Sequence, residues 1–222
     1  MEIAKLRAAR MVYAQIAEAY GASEAARKLH VFARTSAFTK TVYDPYVNIL
    51  RTTTEAFSGV VGGVDAMEVA PLDEPFGSSE ELTRRIARNI QVMMQEEFHL
   101  TQPVDPAGGS WYVETLTAQL AESIWAYFQN IESKGGIESA ILSGALQDDV
   151  AATLAQRFKN LDTRTDRAVG VNMYANETST PAPMEKPMAS AVKSAVNDAH
   201  EPTAESACWP LKLPTMMVSA VL

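Results

Sequence analysis

The chain alternates long stretches of helical hydrophobic spacing with short apolar runs. Over residues 2–20, apolar side chains recur every three or four positions among charged ones, and Gly21 follows them. This pattern predicts an amphipathic helix closed by a glycine. Because the helix opens without an N-terminal cap or a preceding strand, we expect the chain to start partway through a domain.

A second helix has signals at both ends. Asp44 and Pro45 predict its start, because the carboxylate can accept free backbone N–H groups and proline suits the first helical position. Gly62 and Gly63 predict its end, since glycine is the residue that most often closes a helix.

The second half of the chain is predicted to be mainly helical. Ser78, with Glu81 three residues later, forms a capping-box pattern, which predicts a helix that runs to about Phe98. Hydrophobic spacing predicts three more helices, from Trp111 to about Ser133, near Ile137 to Leu142, and from Gln147 to Asn160.

Short apolar runs between the helices predict strands or strand ends. They are Leu29 to Thr35, Val64 to Ala70 and Ala168 to Val171, whereas Val104 to Ser110, with Pro106 and Gly108-Gly109, predicts a strand end or a tight turn. Strands that alternate with helices are typical of parallel βα units, so the predicted fold class is α/β. From about Asn176, prolines are scattered among small and charged residues, which predicts a linker or disordered tail over residues 176–222.

Composition fits one soluble domain plus that tail. Of the 222 residues, 47% are hydrophobic and 21% are charged, and no run of 18 apolar residues predicts a membrane span. The formal net charge of −8 argues against nucleic acid or an anionic membrane as a partner, because both attract basic surfaces. A single cysteine, Cys208, excludes an internal disulfide and fits a cytoplasmic location.

Common signatures of metal, hydrolase and nucleotide sites are missing from the sequence. The three histidines, His30, His99 and His200, are widely separated and lack partners at ligand spacing, so no metal site is expected. No G-x-S-x-G elbow marks a hydrolase, and the glycine pairs at 62–63 and 108–109 form no nucleotide fingerprint.

Two local features are candidates for a binding site. Residues 72–77 place an acidic pair after a predicted strand, where a βα barrel binds its ligands, although a solvated turn explains the pattern equally well. His30, Phe32 and Arg34 alternate along the first predicted strand and share one face. That face is either the interior, where Arg34 needs an anionic or carbonyl partner, or a solvated strand end.

Several separated motifs resemble, in order and spacing, the methylmalonyl-CoA mutase family. The resemblance covers about residues 1–175 and rests on residues 1–10, Arg34-Thr-Ser36, Asp44-Pro-Tyr-Val-Asn-Ile-Leu-Arg51, Leu72-Asp-Glu74, Arg85-Ile-Ala-Arg-Asn89, Gln95-Glu-Glu97, Asp105-Pro-Ala-Gly-Gly-Ser110 and Val169-Gly-Val-Asn172.

The resemblance implies a fold. In that family a (βα)8 TIM barrel encloses the acyl-CoA, and a flavodoxin-like domain holds adenosylcobalamin against it. Residues 1–175 would then be the C-terminal portion of the barrel, incomplete, with its last βα units and helices. The cobalamin-binding domain would be absent, because Asp198-Ala-His200 is the nearest approach to its D-x-H-x-x-G signature and Thr203 replaces the glycine.

The resemblance also implies site residues. On the cofactor side, Glu74 corresponds to the family's acidic residue that contacts cobalamin, and Gly77 corresponds to a small residue in the same loop. Ala37 corresponds to the glycine after Thr-Ser that also faces the corrin, and the three are the expected cofactor-binding residues. On the substrate side, the sequence departs from the family, with His30, Phe32 and Arg34 where Arg, His and Gln are usual. No catalytic residue is assigned.

Three functions follow from the resemblance. The first is a mutase-type isomerase subunit that rearranges methylmalonyl-CoA and succinyl-CoA, truncated and of the small-subunit kind, as residues 39–45 and 62–65 suggest. The second is a non-catalytic structural partner of a large mutase subunit in a heterodimer. The third is a non-functional fragment of a broken reading frame. We expect the chain to be inactive by itself.

Overall fold

The structure is a computed structural model, and it describes residues 1–77 and 79–175. The α-helices in these residues are α1 (Glu2–Ala19), α2 (Val47–Val61), α3 (Glu81–Glu96), α4 (Trp111–Ser133), α5 (Gly136–Leu142) and α6 (Ala145–Asp162). The strands are β1 (Phe32–Arg34) and β2 (Ala66–Glu68), and short 3₁₀ turns lie at Ala25–Arg27 and Glu74–Phe76. The predicted tail lies outside the described residues.

Strands β1 and β2 form a two-stranded parallel sheet. The Val31 carbonyl accepts from the backbone N–H groups of Asp65 and Ala66, at 2.9 and 3.3 Å, and the Thr35 N–H donates to the Glu68 carbonyl at 3.1 Å. Helix α2 connects the two strands and α3 follows the second, which is the order of βα units. The predicted α/β class is therefore confirmed, with strands shorter than predicted.

The possible strand at 168–171 is wrong, and of the two alternatives predicted for 104–110 the tight turn is confirmed. Residues 104–110 form turns, in which Asp105 has a φ of 53° and its carbonyl accepts from the Gly108 N–H at 2.9 Å. Pro106 has no N–H to give to a ladder, so this segment suits a turn. Residues 168–171 contribute one isolated bridge, between Val169 and Met173. Within residues 1–77 and 79–175 the sheet has two strands and closes no barrel.

The start of α2 differs from the prediction, whereas its end agrees. Asp44 has a φ of 46°, and its backbone carbonyl accepts from Val47 at 3.1 Å, so the helix begins at Val47. At the other end, a Cβ on Gly62 would lie 2.7 Å from Leu6 Cδ1, and Gly63 has a φ of 76°. Close packing therefore favours glycine at position 62, and backbone conformation favours it at position 63.

The predicted capping box of α3 is replaced by a different cap. Ser78 lies outside the described residues, and Glu81 is the first helical residue rather than the third. The Asp73 carboxylate accepts instead from the Glu80 N–H at 3.0 Å and from the Thr83 hydroxyl at 2.8 Å. An acidic side chain from the preceding loop thus does the work of an N-cap.

The chain divides into two compact units. In the first, which comprises residues 1–32, 58–66 and 100–175, α1 packs against α4, and α5 contacts both α4 and α6. Ala4, Ala8 and Val12 share one buried face of α1, and Leu6 is buried on another side of the helix, against Gly62. Arg7 adds a charged link, because its guanidinium donates to Asp105 and, at 2.7 Å, to Glu114.

The described part of the second unit comprises residues 33–57, 67–77 and 79–99. Its buried apolar residues come from β1, the segment after β2, α2 and α3, and are Ala33, Ala56, Val69, Ala70, Leu72, Ala87, Ile90 and Met94. Asn48, Thr35 and Thr52 are its largest fully buried side chains. Among the described helices, none is both long enough and apolar enough to cross a membrane.

Candidate functional site

The second unit gathers four charged side chains around Glu74. We call this set the Glu74 cluster; its members are Arg34, Lys40, Glu55, Glu68 and Glu74. Arg34 closes β1, and its Nη2 donates to Glu74 Oε1 while its Nε donates to Glu68 Oε1 at 3.0 Å. Lys40 Nζ donates to Glu74 Oε2 at 2.7 Å. Each oxygen of Glu74 is therefore bound by a different cation.

Lys40 is the most deeply buried charge of the cluster. None of its side chain is exposed, and its Nζ also donates to the Ser36 carbonyl at 3.0 Å. An ammonium group removed from water needs an anion beside it, because the desolvation of an isolated charge is very unfavourable. Glu74, whose side chain is 20% exposed, supplies that anion.

Arg34 is held as a cation by its two carboxylates. Burial acts to lower the pKa of Arg34, but the hydrogen bonds and charges of Glu68 and Glu74 outweigh it and raise the pKa above its ordinary value. Arg34 therefore has the anionic partners that one of the two alternatives requires. Its side chain is nevertheless 38% exposed, at the end of the strand.

Glu55 extends the cluster towards the turn that follows β1. Its Oε2 accepts from the Ser36 N–H at 2.9 Å, and its Oε1 accepts from the Thr39 hydroxyl. Burial raises the pKa of Glu55 above its ordinary value, against those hydrogen bonds and the charge of Lys40, which lower it. The cluster contains three carboxylates and two cations, so one negative charge is in excess when all are ionised.

Asn48 fixes the loop that carries Glu74. Its side chain is fully buried, and its Nδ2 donates to the carbonyls of Thr41 and Leu72, both at 2.9 Å. Its Oδ1 accepts from the Thr41 N–H at 3.1 Å and from Arg51 Nη1 at 2.8 Å. Asn48 thereby ties the turn after β1 to the loop after β2.

Glu74 follows Leu72 by two residues and Asp73 by one. The Asp73 carboxylate caps α3, as described above, and one residue later the 3₁₀ turn Glu74–Phe76 begins. Before this loop, the Thr35 hydroxyl accepts from the Ala70 N–H at 2.9 Å. The loop is thus held on both sides of Glu74, which positions its carboxylate between Arg34 and Lys40.

The expected substrate residues are not all in one unit. His30 and Phe32 belong to the first, where the His30 side chain is 88% exposed and Phe32 is 61% exposed. His30 Nδ1 lies 3.8 Å from Asp65, whose Oδ2 also accepts from the Val31 N–H at 2.7 Å. Arg34 belongs to the second unit, in the Glu74 cluster. Their role towards acyl-CoA stays a prediction.

The expected cofactor residues all lie in the second unit. Glu74 is engaged by two cations, Ala37 is exposed, and Gly77 has a φ of 132°, a conformation that favours glycine. Adenosylcobalamin would need Glu74 as an acceptor, but both of its oxygens are occupied from within the chain. A ligand that bound this carboxylate would have to share it with Arg34 and Lys40 or displace them, and binding of the cofactor stays a prediction.

Lys40, Glu55 and Asn48 were not singled out from the sequence as site residues. A signal for two of them exists, because Asn48, Thr52 and Glu55 recur at helical spacing and would share one face of α2 with Ala56. Polar residues on the face that also carries small apolar ones indicate a buried polar network. Lys40 lies in a turn, where spacing gives no such signal.

Comparison with known proteins identifies the family of this chain. The model of a family described as methylmalonyl-CoA mutase matches residues 1–204. A methylmalonyl-CoA mutase small subunit from Porphyromonas gingivalis is 41% identical over 181 residues, which cover 80% of this chain and 29% of that protein. The small subunit from Streptomyces virginiae is 44% identical over 186 residues, which cover 83% and 30%.

A third relative is named without a subunit. Methylmalonyl-CoA mutase from Cereibacter sphaeroides is 39% identical over 175 residues, which cover 78% of this chain and 25% of that protein. The chain therefore spans less than a third of the length of each of these relatives. Because the family model matches most of the chain, the protein belongs to the methylmalonyl-CoA mutase family.

Proposed function

We propose that this chain is a mutase component of the small-subunit kind, which contributes structure to a large mutase subunit and rearranges no acyl-CoA itself. The observation that carries this proposal is the engagement of Glu74 by Arg34 and Lys40. Two cations of the same chain already bind this acid, one on each oxygen, which gives it a role in holding the turn after β1 to the loop after β2.

The similarity to two proteins named as small subunits supports the same reading. It suggests that the partner is a large mutase subunit and that the pair forms a heterodimer. Adenosylcobalamin and the acyl-CoA would then be bound by the partner.

The exposure of the expected substrate residues is consistent with a structural role. His30 and Phe32 extend into solvent from the first unit instead of lining an enclosed space in it. A substrate pocket that buries most of an acyl-CoA needs concave walls, which these exposed side chains do not supply within their unit.

The barrel origin of the fold is part of the proposal. The order β1, α2, β2, α3, with parallel strands, is what consecutive βα units of a (βα)8 barrel would give. In such a barrel the loop after β2 would lie at the ligand-binding face, and Glu74 lies on this loop.

Ligand titration tests the catalytic side of this proposal. We would titrate the full chain by calorimetry with methylmalonyl-CoA, succinyl-CoA and aquacobalamin, and assay mutase turnover after mixing with a large subunit. The proposal predicts no binding of any of these ligands to the chain alone. It is overturned if the chain alone binds acyl-CoA or turns it over.

A triple variant, His30→Arg, Phe32→His and Arg34→Gln, distinguishes two alternatives. Either the chain is an isomerase subunit that has lost its substrate contacts, or it is a structural subunit without a substrate pocket. Acyl-CoA binding gained by the variant would favour an isomerase subunit that has lost its substrate contacts, an alternative supported by the 39% identity to a protein named simply methylmalonyl-CoA mutase. No gain would favour the structural role. Circular dichroism of the variant controls for loss of folding.

A further inference from the structure

We infer that Lys40, together with Arg34, forms an internal lock that keeps the Glu74 carboxylate from ligands outside the chain. The inference depends on the proposed function only for the identity of the excluded ligand. The lock itself is a property of the second unit, in which all of these residues lie.

The two cations have different parts in this lock. Arg34 has Glu68 as a second anionic partner and remains 38% exposed, so it keeps a carboxylate if Glu74 moves away. Lys40 is fully buried, and Glu74 is the carboxylate to which it donates. Departure of Glu74 would therefore leave a buried ammonium with the Ser36 carbonyl as its remaining hydrogen-bond acceptor among the described residues.

The charge count of the cluster indicates that Glu74 would otherwise be available. Three carboxylates face two cations in the cluster, and without the Lys40 charge Glu74 and Glu68 would share Arg34 alone. A surplus carboxylate beside a binding loop would attract a ligand that donates hydrogen bonds or carries positive charge. The amide side chains of a corrin ring are donors of this kind, and Lys40 competes with them.

The backbone around Glu74 is held in place, which limits how the carboxylate can separate from Lys40 and Arg34. Asn48 holds Leu72 and Asp73 caps α3, so the residues on the N-terminal side of Glu74 are fixed. The side chain can leave the lock mainly by rotating outward. Removal of the Lys40 charge is therefore expected to expose the Glu74 carboxylate without unfolding the loop.

Carboxyl labelling of the full chain tests the lock. The protein would be treated with a water-soluble carbodiimide and glycine ethyl ester, and labelling at each carboxylate followed by mass spectrometry. Glu68, whose side chain is 51% exposed, is the internal reference. We expect Glu74 to be labelled about tenfold more slowly than Glu68 in the wild type, and Lys40→Met to remove most of this difference.

Lys40→Arg is the matched control, because it keeps the charge and should keep Glu74 protected. If Lys40→Met fails to fold, Lys40→Gln tests the same loss of charge with a polar side chain. Rapid labelling of Glu74 in the wild type, or unchanged protection in folded variants without the charge, would overturn the lock. Failure here would remove the Glu74 observation from the small-subunit proposal, which would then rest on the similarity to proteins named as small subunits. Failure to bind a large subunit would leave the lock standing.

Discussion

Lys40 Nζ lies 2.7 Å from Glu74 Oε2, and none of the Lys40 side chain is exposed. The two residues are 34 positions apart, and they join the turn after β1 to the loop after β2. Lys40 is buried, whereas Glu74 is partly exposed and is also bound by Arg34. Removing Lys40 and removing Glu74 should therefore lower the free energy of unfolding by different amounts.

Glu74→Gln should destabilise the protein more than Lys40→Met does. The first leaves a buried ammonium without its carboxylate, which costs about 3–5 kcal/mol, whereas the second leaves a carboxylate that Arg34 still binds and should cost less than about 2 kcal/mol. Urea denaturation followed by circular dichroism measures both. Equal losses would show that Lys40 is not the buried partner that the structure describes.

Asn48→Ala should be among the most destabilising changes in α2. It removes a side chain that bonds Thr41, Leu72 and Arg51, and it leaves buried backbone groups unpaired, so we expect a loss of about 2–4 kcal/mol. Thr54→Ala, at an exposed position of the same helix, is the control and should change the free energy of unfolding by less than about 0.5 kcal/mol. Similar values for the two variants would contradict the clamp.

Local sequence signals predicted most helices well. Helix α4 has the predicted bounds, Trp111–Ser133, because the Ser110 hydroxyl caps its start and Gly135 follows its end with a φ of 96°. The start of α2 was missed because Asp44 adopts a positive φ and offers its carbonyl rather than a helical N-cap. Aspartate is common both in the left-handed conformation and at helix N-caps, so the residue type alone does not tell which of the two Asp44 adopts.

The site was less predictable than the helices. The sequence indicated that Arg34 would need an anionic partner, but it could not identify Glu74, which lies 40 positions later. Lys40 was missed because its burial depends on packing of the turn after β1, which no local pattern encodes. The predicted strand at 168–171 failed because an apolar run of four residues also fits a turn with a single bridge.

Glu55→Gln should change how stability depends on pH. The pKa of Glu55 is raised in the folded protein, so proton binding by Glu55 adds to the free energy of unfolding. This stabilisation is fully present below the ordinary pKa of 4.5 and is lost as pH rises through the folded pKa. The wild type should therefore lose stability over that window, and the variant should lose less. Urea midpoints from pH 4 to pH 8 measure the slope, with exposed Glu96→Gln as the control. Parallel curves for all three proteins would contradict this assignment.

Asp65→Asn should weaken the protein in the opposite pH range. The hydrogen bond from the Val31 N–H, followed by that from Arg10, lowers the pKa of Asp65, so its contribution is present above the ordinary value of 3.8 and is lost as pH falls through the folded pKa. With its side chain 40% exposed, we expect a loss of about 1 kcal/mol at pH 7 that shrinks under acid. Thermal unfolding at pH 7 and pH 3 measures it, and exposed Glu122→Gln should show no such difference.

As a structural component of a larger mutase, this chain should bind a mutase large subunit. Sedimentation velocity of the full chain mixed with a methylmalonyl-CoA mutase large subunit tests it most directly, with the large subunit alone and an unrelated acidic protein of similar size as controls. We expect a faster-sedimenting complex that contains both chains in equal number and binds no more acyl-CoA than the large subunit alone. Independent sedimentation of the two chains at micromolar concentration would contradict it.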